Sequence, residues 1–288
     1  MGRSPRRGPT GGFAPGRSAP LSLPYARGVQ SPATDVEEVG RATRQVLRAL
    51  DDLTDEQAAA PSRLPGWTRA EVVTHLARNA DGIRGMVEAA TRGEVTSMYP
   101  GAEARVAGIA AGRGAAAAVL RADLRGAHER LVEAWNALPE DGWERLGRAS
   151  VTRTIRDFIW VRRREVEVHH VDLDLGYEPS DWPVGFVSDA LDEIFGSLVA
   201  RGVPTRALID VDYRVVSTDH DRAWRVEIRG TAVQVTEEDR TRGPADGEAS
   251  GWGCDVAAWL YGRDPRGGGV LATGDIGVLR LPRRFPFA

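Results

Sequence analysis

The sequence predicts two folded parts: a four-helix bundle and, after it, a small α+β domain with a mainly antiparallel sheet. Three observations carry this prediction. Between residues 33 and 175, apolar residues recur at helical spacing in four separate segments. Beyond residue 180, short runs alternate apolar and polar residues instead, as half-buried strands do. A turn-rich stretch at residues 176–179 separates the two patterns.

The N-terminal third of the chain contains an extension and the first two helices. Residues 1–31 are rich in Gly, Pro, Arg and Ser and contain no continuous apolar run, so we expect a disordered extension rather than a signal peptide. The first helix begins near Ala33. The second begins after Thr68, which is followed three residues later by Glu71 and so forms a capping-box sequence.

The other two helices complete the bundle, which we assign to residues 32–178. An Ala-rich segment should be interrupted at Gly112 and Gly114 before it continues as a strong helix over 115–138. The fourth helix spans roughly residues 154–175. Four amphipathic helices joined by loops are most simply packed as a four-helix bundle.

The remaining residues, 179–288, predict the α+β domain. A helix is followed by alternating runs, a second helix and a short strand. The approximate positions of these segments are 184–199, 208–216, 224–228, 232–235, 254–261 and 270–271. Strands that follow one another with polar turns between them favour antiparallel pairing.

Composition narrows the class of protein. The formal net charge of −3 gives no global electrostatic argument for binding nucleic acid or an anionic membrane. No apolar run approaches the roughly 18 residues of a membrane-spanning helix. The single cysteine, Cys254, excludes an internal disulfide framework and a thiolate-rich zinc site. We therefore expect a cytoplasmic protein.

The predicted fourth helix carries a carboxylate and an imidazole four residues apart. At 3.6 residues per turn, Glu165 and His169 project from one face, a spacing at which two side chains can bind one metal ion. His75, beside the apolar stripe of the second helix, could complete the site. Structural alternatives remain, because His75 could be a hydrogen-bonded core histidine and the other two a surface pair. We expect His128 and His220 at the solvated surface.

Four short motifs occur in one order along residues 33–288. They are Leu64-Pro65-Gly66-Trp67-Thr68 with Val73-Thr74-His75-Leu76-Ala77, Met98-Tyr99-Pro100-Gly101 with Ala104-Arg105, the stretch from Arg164 to Asp172, and Ala257-Ala258-Trp259-Leu260-Tyr261-Gly262-Arg263. Together they resemble the mycothiol-dependent maleylpyruvate isomerase family, within the broader DinB-like class of metal-binding bundles. Each motif alone is only moderately specific, and their common order makes the resemblance stronger.

The resemblance implies a metal centre and a thiol cofactor. Members bind a divalent metal, usually zinc, through residues that match His75, Glu165 and His169 here. Three protein ligands leave an open position, which is typical of catalytic zinc. In this family the open position is thought to receive the thiol of mycothiol, whose pKa the metal lowers. The thiolate then adds to the cis double bond of maleylpyruvate, the bond rotates, and elimination gives the trans isomer.

Further residues are candidates for contacts with substrate or cofactor. A substrate with two carboxylates calls for an arginine clamp, for which Arg263 is the first choice and Arg105 the second. Arg263 could instead neutralise the C-terminal dipole of its helix. Asn79 and His170 are candidate cofactor contacts, with a polar gap-filling role and a structural role as the alternatives. Asp172 could orient a ligand imidazole or bind a loop amide.

The leading functional expectation is therefore a mycothiol-dependent cis–trans isomerase of maleylpyruvate or a related unsaturated acid. A mycothiol S-transferase is the alternative, and it differs in consuming the thiol. A non-catalytic DinB-like stress or regulatory protein is the third possibility. The expected partners are a small-molecule substrate and a low-molecular-weight thiol, without nucleic acid or membrane. The ligand set leaves zinc, nickel, iron and manganese open, and the sequence does not define an oligomeric state.

Overall fold

A computed structural model describes residues 31–202, 209–238, 243–266 and 269–280. The predicted disordered extension, residues 1–31, lies outside these ranges except for Ser31. In chain order the helices are α1 (Pro32–Ala49), α2 (Asp55–Ala59), α3 (Arg69–Thr91), α4 (Ala102–Ala110), α5 (Ala117–Asn136), α6 (Asp157–Asp172), α7 (Val184–Arg201) and α8 (Gly253–Leu260). The strands are β1 (Leu146–Arg148), β2 (Thr152–Thr154), β3 (Ile209–Ser217), β4 (Arg222–Gly230), β5 (Ala232–Glu238), β6 (Gly247–Gly251) and β7 (Val270–Ala272).

The long helices α1, α3, α5 and α6 pack around one apolar core. α3 begins at the predicted capping box, in which the Thr68 hydroxyl and the Glu71 carboxylate each accept a hydrogen bond from the other residue's backbone N–H. The predicted interruption between α4 and α5 is also present. There, a Cβ on Gly112 would lie 1.8 Å from Oγ1 of Thr74, and Gly114 has a φ of +79°.

Two small features of the first part were not predicted. α2 is five residues long, too short to show helical periodicity. β1 and β2 form a short antiparallel hairpin. Because Thr154 belongs to β2, α6 begins later than predicted. The backbone N–H of Thr154 donates to Asp157 Oδ2, and that of Asp157 donates to Thr154 Oγ1. This reciprocal pair joins the last residue of β2 to the first residue of α6.

The second part is a five-stranded sheet, in the order β5-β4-β3-β6-β7, with α7 and α8 packed against it. The pairs β3–β4, β4–β5 and β6–β7 are antiparallel, and β3–β6 is parallel. The predicted mainly antiparallel sheet is thus confirmed. β6 was missed because its sequence, Gly-Glu-Ala-Ser-Gly, lacks β-branched and aromatic residues.

Helix α6 lies between the two apolar cores. Phe158 and Ile159 belong to the core of the bundle, whereas Trp160 and Val168 belong to the core of the second part. Almost every residue of α6 is consequently buried, including its charged residues. Within the described ranges, no helix combines the length and apolarity that crossing a membrane requires.

His128 on α5 is buried, with 8% of its surface exposed, so the predicted surface position is wrong. Burial first, then the nearby charges of Arg162 and Arg44, lower its pKa to about 4. The unfolded chain therefore takes up this proton near pH 6.5 and the folded protein only near pH 4. We expect the free energy of unfolding to fall by up to about 3 kcal/mol across this interval because of His128.

Urea denaturation of the wild type and the His128→Leu variant between pH 7 and pH 4 measures this contribution of His128 to the free energy of unfolding. The wild type should lose more stability than the variant as the pH falls, and the difference should level off below about pH 4. The same pH dependence in both proteins would contradict the expectation.

Candidate metal centre

Helices α3 and α6 bring His75, Glu165 and His169 together in the interior. Nε2 of His75 lies 2.9 Å from Oε2 of Glu165, and Nε2 of His169 lies 3.5 Å from the same oxygen. The two imidazole rings meet edge to face, with their centroids 4.8 Å apart. One donor atom from each residue lies within 4.8 Å of the others, and all three side chains are fully buried.

Several nitrogen and oxygen atoms of this cluster make no hydrogen bond within the described part of the chain. Nδ1 of His75 and Nε2 of His169 are buried without a hydrogen-bond partner among the described residues. Oε1 of Glu165 is also buried without a hydrogen-bond partner among these residues, and Nη2 of Arg164 lies 3.5 Å from it. Buried polar groups are normally satisfied, so such atoms call for an additional partner. Two imidazoles and one carboxylate are a donor set that zinc and related divalent cations accept, and the residues therefore fit such an ion.

The electrostatics of the cluster suit cation binding. Burial alone would raise the pKa of Glu165, but the contacts with His169 and His75 hold it below its usual range. Burial lowers the pKa of His75 to about 4. At neutral pH the carboxylate is therefore ionised and the His75 imidazole neutral, as metal ligands must be. Burial opposes the charge on His169, yet Asp172 and Glu165 raise its pKa, so metal binding would displace a proton there.

Asp172, at the end of α6, holds the His169 ring. Its Oδ2 accepts a hydrogen bond from Nδ1 of His169 at 2.8 Å, which directs Nε2 toward the cluster. Arg263 in turn binds both carboxylate oxygens of Asp172, through Nε at 3.1 Å and Nη2 at 2.7 Å. Of the two possibilities for Asp172, the structure shows the contact with the His169 imidazole, and ligation of a metal by His169 stays a prediction.

Arg263 follows α8 and crosses from the second part of the molecule to the bundle. Its remaining terminal nitrogen, Nη1, donates to the carbonyl of Tyr261, the residue that caps the C-terminal end of α8. The expected contact with the C-terminal end of that helix is therefore present, and the ion pair with Asp172 is an addition that the sequence did not indicate. The guanidinium is 6% exposed and occupied by these contacts, so its assignment as a substrate clamp stays a prediction.

A second buried network joins the two parts beside Glu165. Arg164 contacts Glu193 of α7 in a buried ion pair and also approaches Glu165. The Tyr261 hydroxyl donates to the other oxygen of Glu193 at 3.2 Å. Neither Arg164 nor Glu193 was predicted from the sequence as a residue of the site. The signal in the sequence that could have indicated Arg164 is its position next to the candidate ligand Glu165, on a helix with few surface positions.

The structure separates the remaining predicted residues. Asn79 is fully buried one turn after His75, and its Oδ1 accepts a hydrogen bond from Arg162 at 2.8 Å. Arg105 lies at the edge of the bundle, with its guanidinium 5.7 Å from the Tyr99 ring. His170 is not part of the cluster, since its ring stacks on Tyr177 at 3.8 Å. A cofactor contact by Asn79 or His170 stays a prediction, as does ligation by the cluster.

Two cavities border these residues. One, of about 270 Å³, lies between the two parts and is lined by residues that include Arg63, Asp172 and Arg263. The other, of about 220 Å³, is lined by α3, α4 and the segment before α4, and includes Tyr99 and Arg105. The structure thus offers space for small molecules beside both Asp172 and Arg105.

Comparisons with known proteins agree with this fold. Residues 39–174 match the family model described as the mycothiol maleylpyruvate isomerase N-terminal domain. The solved structure of a mycothiol-dependent maleylpyruvate isomerase is 23% identical, with a TM-score of 0.69 over 85% of this chain and 93% of that one. A mutant of that enzyme gives the same values. YfiT from Bacillus subtilis, described as a probable metal-dependent hydrolase with an unusual four-helix bundle topology, is 18% identical over 57% of this chain, with a TM-score of 0.44. Comparison with curated protein sequences gave no match.

Fold and cluster together define a class of protein: a helical bundle with a buried His/Glu/His group, joined to a mixed α and β part. The matched domain places the chain more narrowly. Residues 39–174, which contain most of the bundle, match the N-terminal domain of the mycothiol maleylpyruvate isomerase family. The predicted family and fold class are thereby confirmed, and at 23% identity the solved isomerase adds the shared fold.

Proposed function

We propose that this protein is a metal-dependent, mycothiol-using cis–trans isomerase of maleylpyruvate or a related unsaturated acid. The observation that carries the proposal is the buried group of His75, Glu165 and His169, whose donor atoms lie within 4.8 Å of one another. It lies in a bundle that matches the N-terminal domain of the corresponding family. The similar solved structure is that of a mycothiol-dependent maleylpyruvate isomerase, which supports the assignment.

In this proposal the cluster residues hold a divalent cation, with zinc as the first candidate. Such a cation would supply a Lewis acid that favours ionisation of a thiol, and mycothiol would supply that thiol as the nucleophile for the double bond. Asp172 contacts Nδ1 of His169, which leaves Nε2 as the atom that would bind the cation. Complete burial of the three ligands keeps bulk water away, which strengthens each electrostatic interaction.

The contact of Arg263 with Asp172 gives the second part a role in this site. Arg263 contacts Asp172, which in turn contacts His169, so Arg263 acts as a positioning residue in this proposal. Arg164 provides the parallel connection through Glu193. Loss of the docking between the two parts would therefore disturb the ligand geometry as well as the stability.

Elemental analysis combined with a mycothiol assay tests the proposal. The purified wild type should contain about one divalent ion per chain, and His75→Ala should contain almost none. With mycothiol and maleylpyruvate, the metal-loaded wild type should form the trans isomer and return mycothiol unchanged. Consumption of mycothiol would favour the S-transferase instead. A folded wild type that binds no zinc would overturn the metal-dependent mechanism and favour a non-catalytic bundle.

A further inference from the structure

Next to the candidate metal centre, a group of buried hydrogen-bond donors has no acceptor. Each atom is buried and without a hydrogen-bond partner among the described residues. The atoms are Nδ2 of Asn79, the hydroxyl of Tyr99, Nε and Nη2 of Arg105, and Nε and Nη2 of Arg162. Buried polar atoms are nearly always satisfied, and here donors of two arginines are left over together. Because two of these four side chains are positively charged arginines, an anion is a better acceptor for the set than a neutral group.

Arg162 is the most constrained member of this set. It is fully buried on α6, one turn before Glu165. Its Nη1 donates to the Leu76 carbonyl at 2.7 Å and to Oδ1 of Asn79 at 2.8 Å, which fixes the guanidinium. Burial lowers the pKa of Arg162 to about 10, which still leaves it charged at neutral pH. A buried charge with unused donors is strongly unfavourable unless an anion completes it.

Arg105 and Tyr99, the other two residues with unused donors, border a cavity. Both line the space of about 220 Å³ beside α3 and α4. Burial raises the pKa of Tyr99 to about 12, Glu165 adds to the rise, and the charges of Arg105 and Arg162 oppose it. The charge of Arg105 also contributes to the low pKa of His75. The guanidinium of Arg105 lies 5.7 Å from the centre of the Tyr99 ring. Asn79, which accepts a hydrogen bond from Arg162, belongs to α3, the helix that lines one side of this cavity.

We propose that Arg105 and Arg162, with Nδ2 of Asn79 and the Tyr99 hydroxyl, form a subsite for a carboxylate of the substrate. A carboxylate is an acceptor with about four lone-pair directions and matches the planar fork of a guanidinium. The subsite rests on the proposed function and deepens it, because it names the side chains that would bind the carboxylate next to the reacting double bond. Arg263 is a poorer clamp because Asp172 and the Tyr261 carbonyl already occupy it.

Calorimetric titration of maleate into the metal-free protein tests this subsite, since removal of the metal prevents the carboxylate from binding through a cation. Arg105→Met should weaken maleate binding about 10- to 100-fold, the effect of losing a charged hydrogen-bond partner. Arg105→Lys should restore part of the affinity, and Tyr99→Phe should weaken binding by a few-fold. Arg84→Met is the matched control, because it removes an arginine of α3 that is paired with Glu88 and does not line this cavity.

The possible outcomes distinguish a failure of the subsite from a failure of the proposed function. Maleate binding that Arg105→Met weakens and Arg84→Met leaves intact supports the subsite, even if the protein shows neither bound zinc nor isomerase activity. Equal affinity in the wild type and Arg105→Met, or an equal loss in Arg84→Met, overturns it. Sulfate that competes as well as maleate overturns the preference for carboxylate. Isomerase activity with unchanged kcat/KM in Arg105→Met would leave the function standing without this subsite.

Discussion

Replacement of Glu165 with glutamine is expected to abolish metal binding while the fold is retained. The change keeps the shape of the side chain but removes the negative charge from a buried group whose other members are two imidazoles. Binding of a divalent cation at this site depends on that negative charge. Because Glu165 would be a direct ligand, the loss of zinc affinity should exceed the roughly 10- to 100-fold typical of residues that only orient a ligand. Competition with a chromogenic chelator measures it.

Glu167→Gln is the matched control for this experiment. Glu167 is also buried on α6, two residues further on, but it accepts a hydrogen bond from the Tyr177 hydroxyl at 2.7 Å and lies outside the cluster. Its substitution should leave the zinc affinity close to that of the wild type. Equal zinc affinity in Glu165→Gln and the wild type, with both proteins folded, would refute the metal centre.

Asp172→Asn should produce the largest loss of stability among these substitutions. It leaves the buried guanidinium of Arg263 without its charged partner, and removing one member of a buried ion pair costs about 3–5 kcal/mol. The same change weakens the hold on the His169 ring, so zinc affinity should also fall, by about 10- to 100-fold. Urea denaturation and zinc competition on the same protein measure both effects.

A double-mutant cycle with Arg263→Met shows whether loss of the Asp172–Arg263 ion pair causes the loss of stability in Asp172→Asn. Much of the cost of Asp172→Asn arises from the stranded arginine, so the double variant should be destabilised by less than the sum of the single changes. Arg266→Met is the control, since Arg266 is 65% exposed and pairs with Asp174 at the surface, which should contribute no more than about 1 kcal/mol. Additive effects of Asp172→Asn and Arg263→Met would show that the two residues act independently.

These predictions share one structural cause, the position of α6. The candidate ligands Glu165 and His169 lie on a helix that both cores cover, and the residues that orient them come from either side. His75 approaches from α3 and Arg263 from beyond α8. The second part therefore does more than border the site, because it supplies the partner of Asp172. We expect variants that loosen this docking to lose metal affinity before they unfold.

The sequence by itself determined what depends on local geometry. The capping box of Thr68 and Glu71 defines the start of α3, and the two glycines of the Ala-rich segment separate α4 from α5. The shared face of Glu165 and His169 follows from the helical repeat. Alternating runs indicated β3, β4 and β5. Each of these signals acts over a few residues, so composition and spacing were sufficient to read it.

The tertiary structure decided which of these elements meet. His75 and Glu165 are 90 positions apart, and Asp172 and Arg263 are 91 apart, so no spacing rule connects them. Spacing alone left His75 open as a core histidine, and only the family resemblance favoured the cluster. Arg162 lies in a run of three arginines that could equally be a solvated face. Its burial follows from two apolar cores closing over opposite sides of α6, which is a property of packing and not of local sequence.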